Sequence, residues 1–177
     1  MGKNEVDLMV LGALVLGPVH GYELKKRVAE MFGSVYPNLS NSVIYPRLIQ
    51  FQNEGYIKCK IESQPNAPTR KVYWLTGSGM KRVKELTATP LPLSGQVQST
   101  YTDELTVHIV FFNLISKEER RRVIEPFYAI AVARYDETVA KLDKFSATLD
   151  RFNLELLQYA VCVLKSTVDL YKCMMEM

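Results

Sequence analysis

The sequence predicts a mainly α-helical fold with one small β-hairpin, divided into two domains. Helical periodicity dominates the chain, two β-rich segments follow each other between residues 56 and 75, and charge is unevenly distributed. Residues 1–88 carry 12 Lys and Arg against 7 Asp and Glu, whereas residues 89–177 carry 10 against 12. A basic front and a slightly acidic rear favour an anion-binding domain joined to a domain of another kind.

Composition excludes several classes of protein. The chain has 177 residues, of which 47% are hydrophobic and 23% charged, as in globular proteins. No run approaches 18 apolar residues, and Leu8–Leu16 lacks the flanks of a signal peptide, so we expect no membrane segment. Three cysteines without CxxC spacing fit a reducing cytoplasm, and they predict neither a metal site nor a cofactor.

Three helices open the first domain. They are predicted at Glu5–Leu16, about Tyr22–Phe32 and about Asn41–Asn53. Gly17-Pro18 and Gly33 end the first two, and Ser40 and Asn41 offer N-cap chemistry to the third. Ile44, Leu48 and Phe51 form the core stripe of the third helix, so its other side is available to a partner.

A hairpin and a fourth helix complete this domain. Tyr56–Glu62 and Lys71–Leu75 are rich in β-branched and aromatic residues, and a Pro-containing tip lies between them. Thr76 then caps a helix that runs to about Leu86. An uncharged stretch with two prolines follows. We therefore place the first domain at 1–88, a connector at 89–101 and a helical domain at 102–177.

The rear domain is predicted to be wholly helical. Asp103–Leu114 forms one helix, and Ser116 with Glu119 forms a capping box that opens the next. Pro126 should kink or break that second helix, which otherwise runs to about Phe145. A last helix is predicted from about Ala147 to Met175.

The last helix carries an apolar stripe at heptad-like spacing. Its members are Leu149, Phe152, Leu156, Tyr159, Val163 and Leu170. The stripe fits either a core helix within one chain or a dimerisation helix, and we favour dimerisation because so few helices must bury it. Cys162 and Cys173 lie on one face of the same helix, either as buried thiols of a dimer seam or as a redox pair across it.

The order of elements in the first domain is that of a winged helix-turn-helix. In such a domain the third helix enters the major groove of DNA, and the hairpin, or wing, reaches flanking phosphates. Phosphate attraction supplies much of the affinity, and contacts to base edges supply sequence preference. A basic net charge on this domain agrees with a nucleic-acid partner.

Three ordered motifs resemble the PadR family of transcriptional regulators. They are Gly17-Pro18-Val19-His20-Gly21-Tyr22-Glu23-Leu24, then Ile44-Tyr45-Pro46-x-Leu48 with Glu54-Gly55-Tyr56-Ile57, and finally Arg70-Lys71-x-Tyr73-x-Leu75-Thr76-x-x-Gly79. By its hairpin and its long helical tail the chain looks most like the branch that includes PadR itself and the virulence activator AphA. The resemblance implies a homodimeric DNA-binding regulator, most often a repressor, whose DNA release a small-molecule effector could control.

The resemblance also implies which residues contact DNA. Tyr22 and Tyr45 would donate hydroxyl hydrogen bonds to phosphates, and Arg70 and Lys71 match the basic pair of the wing. Asn41 and Ser42 lie at the open end of the third helix, where they could meet phosphates or bases. Arg47 fits either a phosphate contact or a surface ion pair.

Two other classes of function were weighed against this one. A winged helix could serve as a protein-interaction adaptor, which an apolar or acidic outward face on the third helix would favour. An enzyme finds no support, because the sequence has no nucleophile elbow, HExxH motif or phosphate-binding loop.

Overall fold

A computed structural model of the chain describes residues 3–33, 40–62, 70–93 and 103–177. Its elements are α1 (Lys3–Ala13), β1 (Val19–His20), α2 (Gly21–Phe32), α3 (Asn41–Asn53), β2 (Ile57–Glu62), β3 (Arg70–Leu75), α4 (Gly77–Thr87), α5 (Asp103–Ile109), a 3-10 turn (Phe112–Leu114), α6 (Lys117–Phe145) and α7 (Arg151–Glu176). The mainly helical class with a small β-hairpin is confirmed. The predicted hairpin tip and most of the predicted connector lie outside the described residues.

The sheet has three antiparallel strands in the order β1-β3-β2, so the predicted hairpin gains a third strand. Val19 pairs with Tyr73 on one side of β3, and Glu62 pairs with Arg70 on the other. Sequence periodicity missed β1 because two residues are too few to show alternation. This short strand places the start of α2 beside the base of the wing.

The core of the front unit surrounds α1, which is buried on nearly all sides as its apolar sequence predicts. The helices α2, α3, α4 and α5 all pack against it. Thr76 caps α4 as predicted, since its hydroxyl oxygen accepts a hydrogen bond from the Gly79 amide at 3.0 Å. Three predicted helix bounds are wrong. The first helix ends at Ala13 and not Leu16, and the helix predicted at Asp103–Leu114 ends at Ile109 before a 3-10 turn. The last helix begins at Arg151 and not at about Ala147.

The predicted domain boundary needs one correction, because α5 belongs to the front unit. The chain divides into a unit of Met1–Thr89 with Asp103–Leu114 and a unit of Pro90–Thr102 with Ile115–Met177. The Phe111 ring packs so closely on Gly12 of α1 that a Cβ there would lie 2.2 Å from it. The buried His108 ring donates from Nδ1 to the Thr87 carbonyl at 2.9 Å, and burial lowers the pKa of His108. The uncharged, proline-containing composition of residues 89–101 indicated a connector, but it does not predict which unit the following helix packs against.

The second unit contains a hairpin of two long helices. The capping box of Ser116 and Glu119 opens α6 as predicted. The Lys117 ammonium at the start of α6 donates to the Glu176 carbonyl at the end of α7, so the two helices run antiparallel. Of the kink or break predicted at Pro126, the break does not occur, because α6 continues through the proline to Phe145. Buried neighbours on both sides of the proline show how packing overrides a local helix breaker.

Candidate nucleic-acid interface

A cleft of about 640 Å³ lies where the start of α2, the middle of α3 and the start of β3 meet. Its lining residues are His20, Gly21, Tyr22, Glu23, Tyr45, Arg70, Lys71 and Tyr73. Four of the seven residues predicted from sequence to contact DNA are therefore brought together. Asn41 and Ser42 lie instead at the exposed start of α3, and the Arg47 side chain contacts Asp7 of α1.

Aromatic rings form much of the cleft. Tyr22 projects from the first turn of α2 with 78% of its surface exposed, and Tyr45 is 41% exposed. Gly21 lets the Tyr45 ring approach closely, since a Cβ on it would lie 3.3 Å from Tyr45 Cε1. Tyr73 is buried and contributes from β3, and burial raises the pKa of its hydroxyl. Two exposed tyrosines therefore border the cleft.

Two cations of the wing line the same cleft. Arg70 and Lys71 open β3 and are both exposed, although strand alternation required only one of them to face outward. Within the described part of the chain, no acidic side chain lies at ion-pair distance from either cation. Glu23, which sequence reasoning missed, lines the cleft as well, so one negative charge stands against two positive ones. The cleft is suited to an anion.

Both helix starts near this surface lack a side-chain cap. His20 precedes α2 without capping it, and His20 Nδ1 is buried with no hydrogen-bond partner among the described residues. The predicted cap on α3 is wrong in its chemistry, because the Ser40 hydroxyl pairs with the Ser42 hydroxyl at 2.6 Å instead. Free N–H groups and the helix dipole favour negative charge at such ends.

Of the two roles open for Arg47, the structure shows the ion pair. Arg47 Nη1 lies 3.3 Å from Asp7 Oδ1, and the Asp7 side chain is only 6% exposed. Burial raises the pKa of Asp7, while the nearby Arg47 guanidinium opposes that rise. Sequence reasoning placed this pair at the surface, and it could not see that α1 carries its acidic partner inside the fold. We therefore leave Arg47 out of the proposed phosphate contacts.

Replacing Arg47 by methionine is expected to destabilise the front unit by about 1–3 kcal/mol at pH 7, because Asp7 is left charged and buried without a partner. Burial raises the pKa of Asp7 above 3.8 in the folded state. The charged form of Asp7 therefore lowers the free energy of unfolding at neutral pH, and this cost disappears when the carboxylate is protonated at low pH. The difference between Arg47→Met and the wild type should therefore shrink as pH falls towards 4. Denaturant unfolding across pH measures this.

The double variant Asp7→Asn with Arg47→Met is the matched control. It removes both charges, so most of the stability lost in Arg47→Met at pH 7 should return. A loss that is the same at every pH would contradict the ion pair as its cause.

The described residues contain no group of three or more His, Cys, Asp and Glu side chains that could hold a metal ion. In the same residues, no helix combines the length and the apolar character that crossing a bilayer requires.

These features define the front unit as a winged helix-turn-helix domain, with the third helix and a basic wing bordering one cleft. Residues 10–85 match the transcriptional regulator PadR-like family.

Comparisons with individual proteins point the same way. The negative transcriptional regulator PadR of Bacillus subtilis (strain 168) is 27% identical over 110 residues, which cover 62% of this chain and 58% of that protein. The match therefore spans less than two thirds of that relative's length.

Solved structures similar to the chain include two of Bacillus subtilis PadR. The complex with operator DNA is 20% identical with a TM-score of 0.48, covering 99% of this chain and 98% of that one. The complex with p-coumaric acid is 20% identical with a TM-score of 0.44, covering 97% of each chain. A transcriptional regulator from Clostridium thermocellum is 25% identical with a TM-score of 0.42, covering 47% of this chain and 79% of that one.

Proposed function

We propose that the chain regulates transcription by binding double-stranded DNA in a sequence-specific manner, as a homodimer on an inverted-repeat operator. The observation that carries the proposal is the cleft that gathers two wing cations, two exposed tyrosine hydroxyls and the uncapped start of α2. Hydrogen-bond donors, helix N-termini and cationic side chains are the groups that bind phosphate in proteins. Tyr22, Tyr45, Arg70 and Lys71 are the proposed phosphate contacts.

The third helix lies beside this cleft and supplies the proposed contact with bases. Asn41 and Ser42 are exposed at its start, and Tyr45 joins its outward side to the cleft. A helix held at the phosphates by such neighbours can enter a major groove about 12 Å wide. The position of α3 next to the wing therefore supports both parts of DNA recognition.

A second copy of the chain is the proposed partner of α7. Phe152, Leu156 and Tyr159 are 86%, 65% and 67% exposed, and Val163 and Leu170 continue the same stripe. Leu149, also in the predicted stripe, lies just before the helix and is partly buried. An exposed apolar stripe of this length is typical of an interface. A twofold dimer would present two recognition helices to half-sites about one helical turn apart.

Repression is the proposed outcome of binding, and the name of the Bacillus subtilis relative, a negative regulator, supports it. We place the activity in the cytoplasm, since the cysteines Cys59, Cys162 and Cys173 are all unpaired thiols. Release by a small-molecule effector stays a prediction of the family resemblance, as does a redox role of Cys162 and Cys173.

Salt dependence of binding to random duplex DNA tests the proposal. Each neutralised phosphate contributes about −0.9 to the slope of log affinity against log salt, so four wing cations per dimer give a slope of about −3.6 or steeper. Fluorescence anisotropy between about 50 and 300 mM salt would measure this slope. Affinity that does not change with salt would favour the adaptor, to which the partly apolar outward side of α3 is also suited.

A further inference from the structure

The long polar side chains in the middle of α3 are held by partners within the chain. Arg47 Nη1 contacts Asp7 and also donates to Gln50 Oε1 at 3.2 Å, and Gln50 Nε2 donates to Glu54 Oε1 at 2.7 Å. Arginine and glutamine are the side chains that read guanine and adenine by paired hydrogen bonds. This network holds both of them away from such a role.

The outward side of α3 presents apolar groups in their place. Ser42, Pro46, Ile49 and Asn53 recur at helical spacings of four, three and four, opposite the buried core stripe. Ile49 is 64% exposed, although its branched apolar side chain gains nothing from water. Pro46 is exposed one turn before it, and Tyr45 adjoins both. The stripe contains no charged residue, so its centre is an apolar ridge formed by Pro46 and Ile49.

We propose that Ile49 is a specificity-determining residue that selects thymine through its C5-methyl group. The inference rests on the proposed function, in which α3 enters the major groove. The thymine methyl is the apolar feature that base pairs display there. Cytosine would place its N4 amino donor against a side chain that cannot accept a hydrogen bond. Binding to cytosine is therefore disfavoured, in addition to the favourable contact with the thymine methyl.

Deoxyuridine substitution isolates the methyl group. Binding sequences are first selected from a randomised duplex library with the full-length protein, and each thymine of the selected site is then replaced by deoxyuridine. Deoxyuridine pairs like thymine and lacks only the methyl. Wild type should bind about fourfold less tightly when one thymine in a half-site is replaced, and about 15-fold less tightly when both half-sites are changed.

Variants then assign the methyl contact to Ile49. Ile49→Ala should bind thymine and deoxyuridine duplexes equally at that position, and Ile49→Val should keep part of the preference. Leu16→Ala is the matched control, because Leu16 is an equally exposed aliphatic side chain, at 66%, outside α3 and the wing. It should keep the full deoxyuridine penalty. Thermal unfolding should be nearly unchanged in all three variants, since each alters an exposed side chain.

Two results would overturn the inference while leaving the proposed function intact. One is a selected site whose thymines can all be replaced without loss of affinity. The other is an Ile49→Ala protein that keeps the wild-type penalty at the same thymine, which would assign the methyl to another side chain. Failure to enrich any sequence, together with salt-independent binding, would instead overturn the proposed function and this inference with it.

Discussion

Replacing Arg70 and Lys71 together by alanine is expected to lower affinity for every duplex sequence by on the order of a hundredfold at physiological salt. Both cations are exposed and line the cleft, and among the described residues no acidic side chain forms an ion pair with either of them, so their charge is available to phosphates. The slope of log affinity against log salt should flatten by about 3.6, because four phosphates per dimer would no longer be neutralised. Salt titrations of a selected site and of random DNA measure both effects.

Two further variants separate position from charge. Lys81→Ala with Lys84→Ala removes the same charge from the exposed side of α4, outside the cleft, and should change the slope far less. Glu23→Gln removes the negative charge of the cleft and should strengthen binding. If the α4 variant weakens binding as much as the wing variant, the wing has no special role and net charge explains the affinity.

If α7 forms the proposed dimer seam, Leu156→Asp is expected to make the protein monomeric at micromolar concentration. The side chain lies mid-stripe on α7 and is 65% exposed in one chain, so the substitution should leave the fold of the chain intact. In a twofold seam it would bring two carboxylates into an apolar contact, at a cost of several kcal/mol. Sedimentation measures the dissociation constant, which should rise at least a hundredfold.

Loss of dimerisation should also weaken binding to DNA. Leu156→Asp should bind an inverted repeat about as tightly as a single half-site, because the two heads are no longer linked. Gln158→Asp adds the same charge to an exposed position off the stripe and is the matched control. A Leu156→Asp protein that remains dimeric would show that α7 is not the seam. A point variant is preferable to deleting α7, since deletion would also uncover the side of α6 on which it packs.

Local sequence signals predicted the elements well where the chain is strongly patterned. The bounds of α3 agree with the prediction, because a core stripe and flanking turn residues define them. The caps at Thr76 and Ser116 formed as expected, since each depends on residues within three positions of itself. Where long-range contacts compete with local preference, local signals were not enough: Pro126 does not break α6, and α5 packs with the front unit.

The candidate site shows the same division. Sequence motifs singled out Tyr22, Tyr45, Arg70 and Lys71 one by one, but their meeting in one cleft depends on β1 pairing with β3. That pairing involves only two residues of β1, which are too few to produce a periodic pattern in the sequence. The part played by Glu23 was missed for the same reason, because a charge at a helix start looks solvent-exposed until its neighbours are known.

The sequence by itself determined that this protein has a basic winged helix-turn-helix domain and a long amphipathic last helix. Those conclusions follow from residue type and spacing, which act over one or two helical turns. Tertiary structure alone decided that Arg47 turns inward to Asp7. The reason is physical: a buried carboxylate on α1 must be paired, and its partner is chosen by packing across 40 residues of chain.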